Sequence, residues 1–194
     1  MNLGETLYVT NRKEWRAWLA KHHKTKKEIW LVYYRKDSGK PRIPYNDAVE
    51  EALCYGWIDS TYKPIDGASH AQRFSPRRKG SPVSPMNKER IRRLIAKKKM
   101  TRAGMESIGH ELTEDLKKTS ASEQLKAFQI PDDILERLKQ DELVWKHFQK
   151  FPESYKRIRI GWIDGARNRP EEFEKRLRYF VKMTKANKRF GMVQ

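Results

Sequence analysis

The chain has 194 residues, of which 43 are Lys or Arg and 25 are Asp or Glu, so its formal net charge is +18. Charged residues make up 35% of it, against an average of about 25% in soluble domains, and no apolar run approaches the ~18 residues of a membrane span. The single Cys54 excludes an intrachain disulfide and a cysteine-rich metal site, and Met1–Glu5 lacks the features of a signal peptide, so we expect a cytoplasmic protein.

The first half of the chain mixes helical and strand patterns. Asn11 and Glu14 have the spacing of a capping box, and the β-branched and aromatic run over 29–34 is typical of a buried strand. Gly56 is a helix stop signal, and Asp66-Gly67 is a common hairpin turn. These signals predict a helix from Asn11, a strand over 28–35, a helix over 46–55, and two strands over 57–63 and 71–75. Because strands and helices do not alternate as a βαβ repeat, the pattern favours an α+β fold.

The second half of the chain changes to helical patterns. A segment rich in proline and serine predicts a loop over 76–85, Asn87 is expected to cap the next helix, and a short helix over 101–110 precedes a polar linker over 111–123. Pro131, Pro152 and Pro170 each precede a helical pattern, as prolines of a first helical turn do. The sequence therefore predicts an N-terminal mixed helix and small-sheet domain over 1–115, followed by an all-helical C-terminal module over 130–194.

Most of the excess positive charge lies between Arg73 and Arg102. This segment has twelve Lys or Arg and one acid, which gives it +11 of the total charge. Guanidinium groups suit bidentate recognition of phosphate or carboxylate, and serine hydroxyls and a helix N-terminus donate further hydrogen bonds to an anion. We therefore predict an anion-accepting groove, with an indole as its apolar floor, lined by Trp57, Asp59, Ser60, Arg73, Arg77, Arg78, Ser81 and Asn87. A solvated basic surface explains the same charge run without a ligand.

The predicted partner of this groove is an anionic small molecule or an acidic protein segment. Nucleic acid is an alternative partner for the basic 73–102 segment, although no zinc-finger spacing, ribonucleoprotein signature or glycine-rich backbone clamp is present. Steep salt dependence and indifference to small anions would favour the nucleic-acid binder.

Catalytic signals are few. The histidines lack metal-ligand spacing, and no phosphate-cradling glycine loop or nucleophile elbow is present, so we predict no cofactor and no metal site. Cys54 lies in a helical pattern with apolar neighbours and is interpreted as a buried structural thiol. Asp59 is interpreted as an ion-pair partner of Arg73 or Arg77, and the rival hypothesis is an enzyme in which Asp59 acts as general base.

Several motifs follow one another in the order found in the YdeI/OmpD-associated proteins. They are Trp15-x-x-Trp18-Leu19, Glu28-Ile-Trp-Leu-Val32, the string from Asp47 to Ser60 that includes Glu-Ala-Leu-Cys-Tyr-Gly-Trp-Ile-Asp-Ser, and Phe74-Ser-Pro-Arg-Arg78. The part from Ile130 to Gly191 is similar to the C-terminal helical module for which the family is named, and one departure from the family is Val83, where Trp is usual. The resemblance implies a bacterial cytoplasmic protein linked to bacteriocin protection, with no established reaction, cofactor or catalytic residue. Our leading hypothesis is therefore a non-catalytic binding protein.

Overall fold

The computed structural model describes residues 3–109 and 129–191. These residues form two compact units. The first contains the described residues up to Pro82 and those from Arg90 to Gly109, and the second contains Val83–Glu89 and the described residues from Gln129 onward. Within the described residues there are eight α-helices and a four-stranded sheet, which lies in the first unit. The α+β fold predicted from the sequence is confirmed.

The first unit holds the sheet and its flanking helices. Its elements are β1 (Thr6–Leu7), α1 (Arg12–His22), β2 (Ile29–Tyr34), α2 (Tyr45–Cys54), β3 (Trp57–Pro64), β4 (Ser69–Pro76), most of α3 (Pro85–Ala96) and α4 (Arg102–Ile108). The elements predicted before residue 76 are present, with ends shifted by at most two residues. Strand β1 was not predicted, because two residues are too few to show an alternating pattern.

Helix α1 begins where the capping box predicts. The Asn11 side chain accepts a hydrogen bond from the Glu14 N–H at 3.0 Å, and the Glu14 carboxylate accepts one from the Thr10 N–H at 2.8 Å. The first contact satisfies a backbone donor that the first helical turn leaves without an intrahelical partner, and the second ties the residue before the cap to the helix.

The sheet has two faces with different roles. Its strand order is β1-β2-β4-β3, with β1 parallel to β2 and the other pairs antiparallel. Asp59 lies opposite Phe74, and Ile58 lies opposite Ser75. Because side chains alternate along a strand, Phe74 and Asp59 project from one face, here called the inner face. Ile58, Ser75 and Arg73 project from the other, the outer face.

Helices α1 and α2 cover the inner face through large aromatic side chains. The ring centroids of Trp15 and Phe74 are 5.5 Å apart, and those of Trp18 and Trp57 are 5.8 Å apart. The Trp15 indole N–H donates to the Ala48 carbonyl at 3.0 Å, and the Trp57 indole N–H donates to that of His23 at 3.1 Å. Both indoles are buried, and their polar atoms are satisfied by backbone.

A glycine allows α4 to approach the end of α2. A Cβ at Gly104 would lie 2.3 Å from the Cys54 carbonyl oxygen, so any larger residue would force the helices apart. Thr101 caps α4 by accepting from the Gly104 N–H at 3.3 Å, and its hydroxyl donates to the Cys54 carbonyl at 2.6 Å. The Cys54 side chain is fully buried, as predicted, and burial raises the pKa of its thiol to about 11.

Helix α3 begins earlier than the sequence indicated. The Ser84 hydroxyl accepts from the Asn87 N–H at 3.3 Å, and Pro85 is the first helical residue. The prediction that Asn87 caps this helix is therefore wrong, because Pro85 suits the first helical position and belongs to the helix rather than to the loop.

The second unit is helical. Beyond the first turn of α3, its helices are α5 (Asp132–Lys139), α6 (Glu142–Lys150), α7 (Glu153–Asp164) and α8 (Pro170–Lys185). Pro131 and Pro152 directly precede α5 and α7, and Pro170 is the first residue of α8, which confirms the reading of the prolines as helix starts. The core is built from one apolar stripe of each of these four helices, including Ile134, Leu138, Val144, Phe148, Tyr155, Ile163, Leu177 and Phe180.

Two sequence predictions fall on residues outside this description. The linker over 111–123 lies between the two described ranges, and so does the end of the predicted 1–115 domain. The domain boundaries 1–115 and 130–194 therefore stay predictions. Of the helices that the structure describes, none combines the length and the apolarity needed to cross a bilayer.

Candidate functional site

An open cavity of about 540 Å³ lies on the outer face of the sheet in the first unit. Its volume is within the range of about 300–1,000 Å³ that is typical of small-molecule sites. We call it the outer groove, and it is lined by Lys27, Ile58, Ser60, Arg73, Ser75, Pro76, Arg78 and Ser81.

The structure brings four of the eight predicted site residues together in the outer groove. They are Ser60, Arg73, Arg78 and Ser81. Strand alternation directs Arg73 to the outer face, where a guanidinium nitrogen lies 3.4 Å from the Ser60 hydroxyl. Residues 78 and 81 come from the loop that follows β4. Positive charge and hydroxyl groups therefore meet in one concave surface.

One cation of the outer groove is paired with a carboxylate. Arg73 donates from Nε and Nη2 to Oε2 of Glu28, at 2.9 and 2.6 Å. The other carboxylate oxygen of Glu28 accepts from the Trp30 indole N–H at 3.1 Å. These hydrogen bonds, first from Arg73 and then from Trp30, lower the pKa of Glu28. The carboxylate thus neutralises part of the Arg73 charge and fixes the guanidinium on the outer face.

The other two cations of the outer groove lack such a partner. Neither Lys27 nor Arg78 has a carboxylate within ion-pair distance among the residues that the structure describes. The groove therefore carries a net positive charge, with hydroxyl groups of Ser60, Ser75 and Ser81 beside it. Ile58 and Pro76 give it an apolar wall.

Arg77 lies beside the groove but bonds to its own loop. Its backbone N–H donates to the Gly56 carbonyl at 2.8 Å, and one guanidinium nitrogen donates to the carbonyls of Ser81 and Pro82 at 2.7 and 2.6 Å. Burial lowers the pKa of Arg77. These contacts close the 77–82 segment into a tight loop, so Arg77 positions Arg78 and Ser81 rather than lining the cavity.

Trp57 and Asp59 lie on the inner face. Trp57 is buried against α1 as described above, and Asp59 accepts a hydrogen bond from the Tyr45 hydroxyl at 2.5 Å. Burial and the hydrogen bond to Asp59 raise the pKa of Tyr45. The predicted ion pair between Asp59 and an arginine is wrong, because Arg73 pairs with Glu28 on the opposite face and Arg77 bonds to loop carbonyls. The apolar wall of the groove comes from Ile58, the neighbour of Trp57.

Asn87, the last predicted site residue, belongs to the second unit. It lies in the first turn of α3, and its side chain is half-buried. The structure thus distributes the predicted site over the two faces of the sheet and the two units.

The predicted lining of the groove omitted Lys27, Ile58, Ser75 and Pro76. Lys27 precedes β2, and the partner of Arg73 follows it directly in the chain. The pairing register, which sets Trp30 opposite Arg73 and Ile58 opposite Ser75, brings these residues together. An Ile-x-Ser alternation in β3 facing an Arg-x-Ser alternation in β4 is the sequence signal that identifies this face once the hairpin is recognised.

A second cavity, of about 410 Å³, lies elsewhere in the first unit. Its lining includes Lys24 and an ion pair between Arg102 and Glu106 at 2.7 Å, and none of the eight predicted site residues lines it. No group of three or more potential metal ligands occurs in the described ranges.

Comparison with known proteins gives two adjacent family matches. Residues 7–107 match the family model described as a domain of unknown function (DUF8412). Residues 127–187 match the model described as bacteriocin-protection, YdeI or OmpD-associated. The resemblance to the YdeI/OmpD-associated family is confirmed by this second match, which lies at the C-terminal end. No curated protein and no solved structure matches the chain.

Proposed function

We propose that this chain, which belongs to the family of the domain of unknown function DUF8412, is a non-catalytic binding protein whose outer groove accepts an anionic group. The observation that carries this proposal is the pair of cations, Lys27 and Arg78, that line one cavity without an ion-pair partner among the described residues. Two such charges at one concave surface produce a positive potential that attracts a counter-charge.

The groove favours an oxyanion that is attached to an apolar body. Arg78 presents a planar fork that matches phosphate or carboxylate, and the hydroxyls of Ser60 and Ser75 are donors for the remaining oxygens, whereas the Ser81 hydroxyl donates to the Arg78 carbonyl at 2.7 Å. Ile58 and Pro76 offer apolar contact to the rest of the ligand. An anionic small molecule or an acidic side chain of a protein segment has this chemistry.

The proposal extends to the biological role. The C-terminal match is described as bacteriocin-protection, and we propose that anion binding in the cytoplasm serves such a protective role in this protein. A bacteriocin-sensitive strain that expresses the chain is expected to survive better than the same strain expressing a variant with an inactive groove.

The direct test is calorimetric titration with phenyl phosphate, which combines the oxyanion with an apolar ring. Each charged hydrogen bond contributes roughly 1.5–3 kcal/mol, so Arg78→Gln is expected to weaken binding about ten- to a hundredfold. Lys27→Gln is expected to weaken it in the same direction. The matched control is Lys79→Gln, because Lys79 is an exposed cation of the same loop that does not line the groove.

Two results would contradict the proposal. One is unchanged phenyl phosphate affinity in Arg78→Gln. The other is tight binding of a short single-stranded oligonucleotide with steep salt dependence and no response to Arg78→Gln, which would assign the basic 73–102 segment to nucleic acid instead.

A further inference from the structure

The charge of the outer groove follows from the ion pairs of its cations. Lys27, Arg73 and Arg78 line the groove, and the carboxylate of Glu28 pairs with Arg73. Within the described residues, no carboxylate lies in ion-pair distance of Lys27 or Arg78. Three cations against one carboxylate leave a net charge of +2.

Neighbouring charges on the outer face have the same sign. Lys63 lies on this face, with its Nζ 4.9 Å from the centre of the Trp30 ring. Hydrogen bonds from Arg73 and Trp30, and then the nearby charge of Lys63, lower the pKa of Glu28. Asp59, the acid of β3, projects from the inner face instead. A ligand on the outer face therefore meets an excess of about two positive charges.

The groove also has donors for more than two ligand oxygens. Arg73 uses Nε and Nη2 for Glu28, and its Nη1 donates to the Ser60 hydroxyl at 3.4 Å. Because the Ser60 oxygen is the acceptor there, its O–H group is left to donate to a ligand. The Ser75 hydroxyl has no partner in the described part of the chain. Together with the Arg78 fork and the Lys27 ammonium, these hydroxyls form a set of donors around one cavity.

A phosphate monoester matches both the charge and the donors. Above its second pKa of about 6 it carries a charge close to −2, and it presents three terminal oxygens. A carboxylate has two oxygens and one charge, and each phosphodiester of a nucleic-acid backbone has one charge. Either of these groups would leave part of the positive charge of the groove uncompensated.

We propose that the ligand of the outer groove is the dianion of a phosphate monoester carried on a small apolar body, an inference that rests on the function proposed above. Lys27 and Arg78 compensate its two charges, and the guanidinium fork binds two of its terminal oxygens. The hydroxyls of Ser60 and Ser75 donate to the third. The esterified group contacts the apolar wall of the groove.

The test is calorimetric titration of the whole chain with four ligands near pH 8 and at constant ionic strength. Phenyl phosphate is a dianion there, because its second pKa is about 6. Phenyl sulfate has the same tetrahedral shape and three terminal oxygens but one charge fewer. Methyl phenyl phosphate represents the phosphodiester, and benzoate represents the carboxylate. We expect phenyl phosphate to bind about tenfold or more tightly than each of the other three, because it makes one more charge-assisted contact.

A charge variant links this preference to the groove. Lys27→Gln lowers the net charge from +2 to +1, so the ratio of phenyl phosphate affinity to phenyl sulfate affinity is expected to fall towards one. Lys79→Gln removes an exposed cation that does not line the groove, and it is expected to leave the ratio unchanged. A general loss of stability does not change this ratio in the folded protein, so the readout is specific to the charge.

The outcomes separate this inference from the function on which it rests. Equal affinities for phenyl phosphate and phenyl sulfate would overturn the dianion preference and leave anion binding intact, whereas no binding of any of the four ligands would overturn the proposed function itself. The same ratio in Lys27→Gln as in the wild type would also overturn the preference. A phosphotyrosine peptide carries the same head group on a chain. Binding of that peptide more than about tenfold tighter than phenyl phosphate would overturn the small-molecule source and assign the phosphate to a protein segment.

Discussion

On the inner face of the sheet, the indole N–H groups of Trp15 and Trp57 donate to backbone carbonyls, and the Asp59 carboxylate accepts from Tyr45. On the outer face, by contrast, Lys27 and Arg78 line an open groove without an ion-pair partner in the described part of the chain. These three polar groups of the inner face are engaged by contacts within the fold, although the buried Tyr33 hydroxyl on that face has no hydrogen-bond partner, whereas the two cations of the outer face remain available to a ligand. The difference shows that local charge density alone does not locate a site. Arg77 lies in the same basic run, but its guanidinium donates to carbonyls of its own loop.

The largest expected effect tests the structural role of the inner face. Trp57→Ala is expected to lower the free energy of unfolding by about 3–5 kcal/mol, because it removes a fully buried indole and leaves a cavity. Urea denaturation followed by circular dichroism measures this loss. Trp57→Phe keeps a ring in the core and is expected to lower the free energy of unfolding by less than Trp57→Ala does. If Trp57→Phe weakened phenyl phosphate binding as strongly as Arg78→Gln does, Trp57 would belong to the binding surface after all.

The next largest effect concerns Glu28, the carboxylate that pairs with Arg73 on the outer face. Glu28 competes with any anion for Arg73, because its Oε2 accepts two hydrogen bonds from that guanidinium. Glu28→Gln is therefore expected to strengthen phenyl phosphate binding, by up to about tenfold if one charge-assisted contact is released. Glu106→Gln is the matched control, since it releases Arg102 away from this groove. Weaker binding in Glu28→Gln would show that Glu28 is needed to hold Arg73 in place.

The same pair predicts a pH dependence. The folded pKa of Glu28 is lowered, so the stability that the pair contributes is present above the unfolded pKa of glutamate and is lost as the pH falls through the folded value. Protonation of Glu28 in that acidic range releases Arg73, so anion affinity is expected to rise as the pH falls. Titration with sulfate, whose charge is constant there, separates this effect from ligand protonation. Glu28→Gln is expected to abolish the rise.

Much of this fold follows from local sequence signals, whereas the site does not. The capping box at Asn11, the stop at Gly56 and the prolines before the C-terminal helices act within a few residues, and they predicted the element ends correctly. The division of Ile58 and Asp59 between two faces depends instead on which strands pair and in which register. The partner of Arg73 is 45 residues away in the chain, and its identity follows from the sheet topology rather than from any local motif.

A smaller effect concerns the contact between α2 and α4. Cys54→Ala is expected to lower the free energy of unfolding by about 1–2 kcal/mol, because a small buried side chain is shortened. Denaturation measures the loss, and phenyl phosphate affinity is expected to stay unchanged. With the thiol pKa raised to about 11, an aromatic disulfide reagent at neutral pH is expected to react only as the chain unfolds. Rapid reaction in the native state would place Cys54 at an accessible site.

The smallest expected effect concerns the hydrogen bond between Tyr45 and Asp59 on the inner face. Asp59→Asn keeps an acceptor for the Tyr45 hydroxyl and removes a partly buried negative charge, so these changes offset each other and stability is expected to change by less than about 1 kcal/mol. Tyr45→Phe removes this hydrogen bond, and a double-mutant cycle with Asp59→Asn measures how much of its energy depends on the carboxylate charge. Since neither residue lines the outer groove, phenyl phosphate affinity is expected to be the same in all three variants and in the wild type. A fall in affinity confined to the Asp59 variants would instead mean that the inner-face carboxylate takes part in binding, and it would revive the hypothesis that Asp59 acts as a general base.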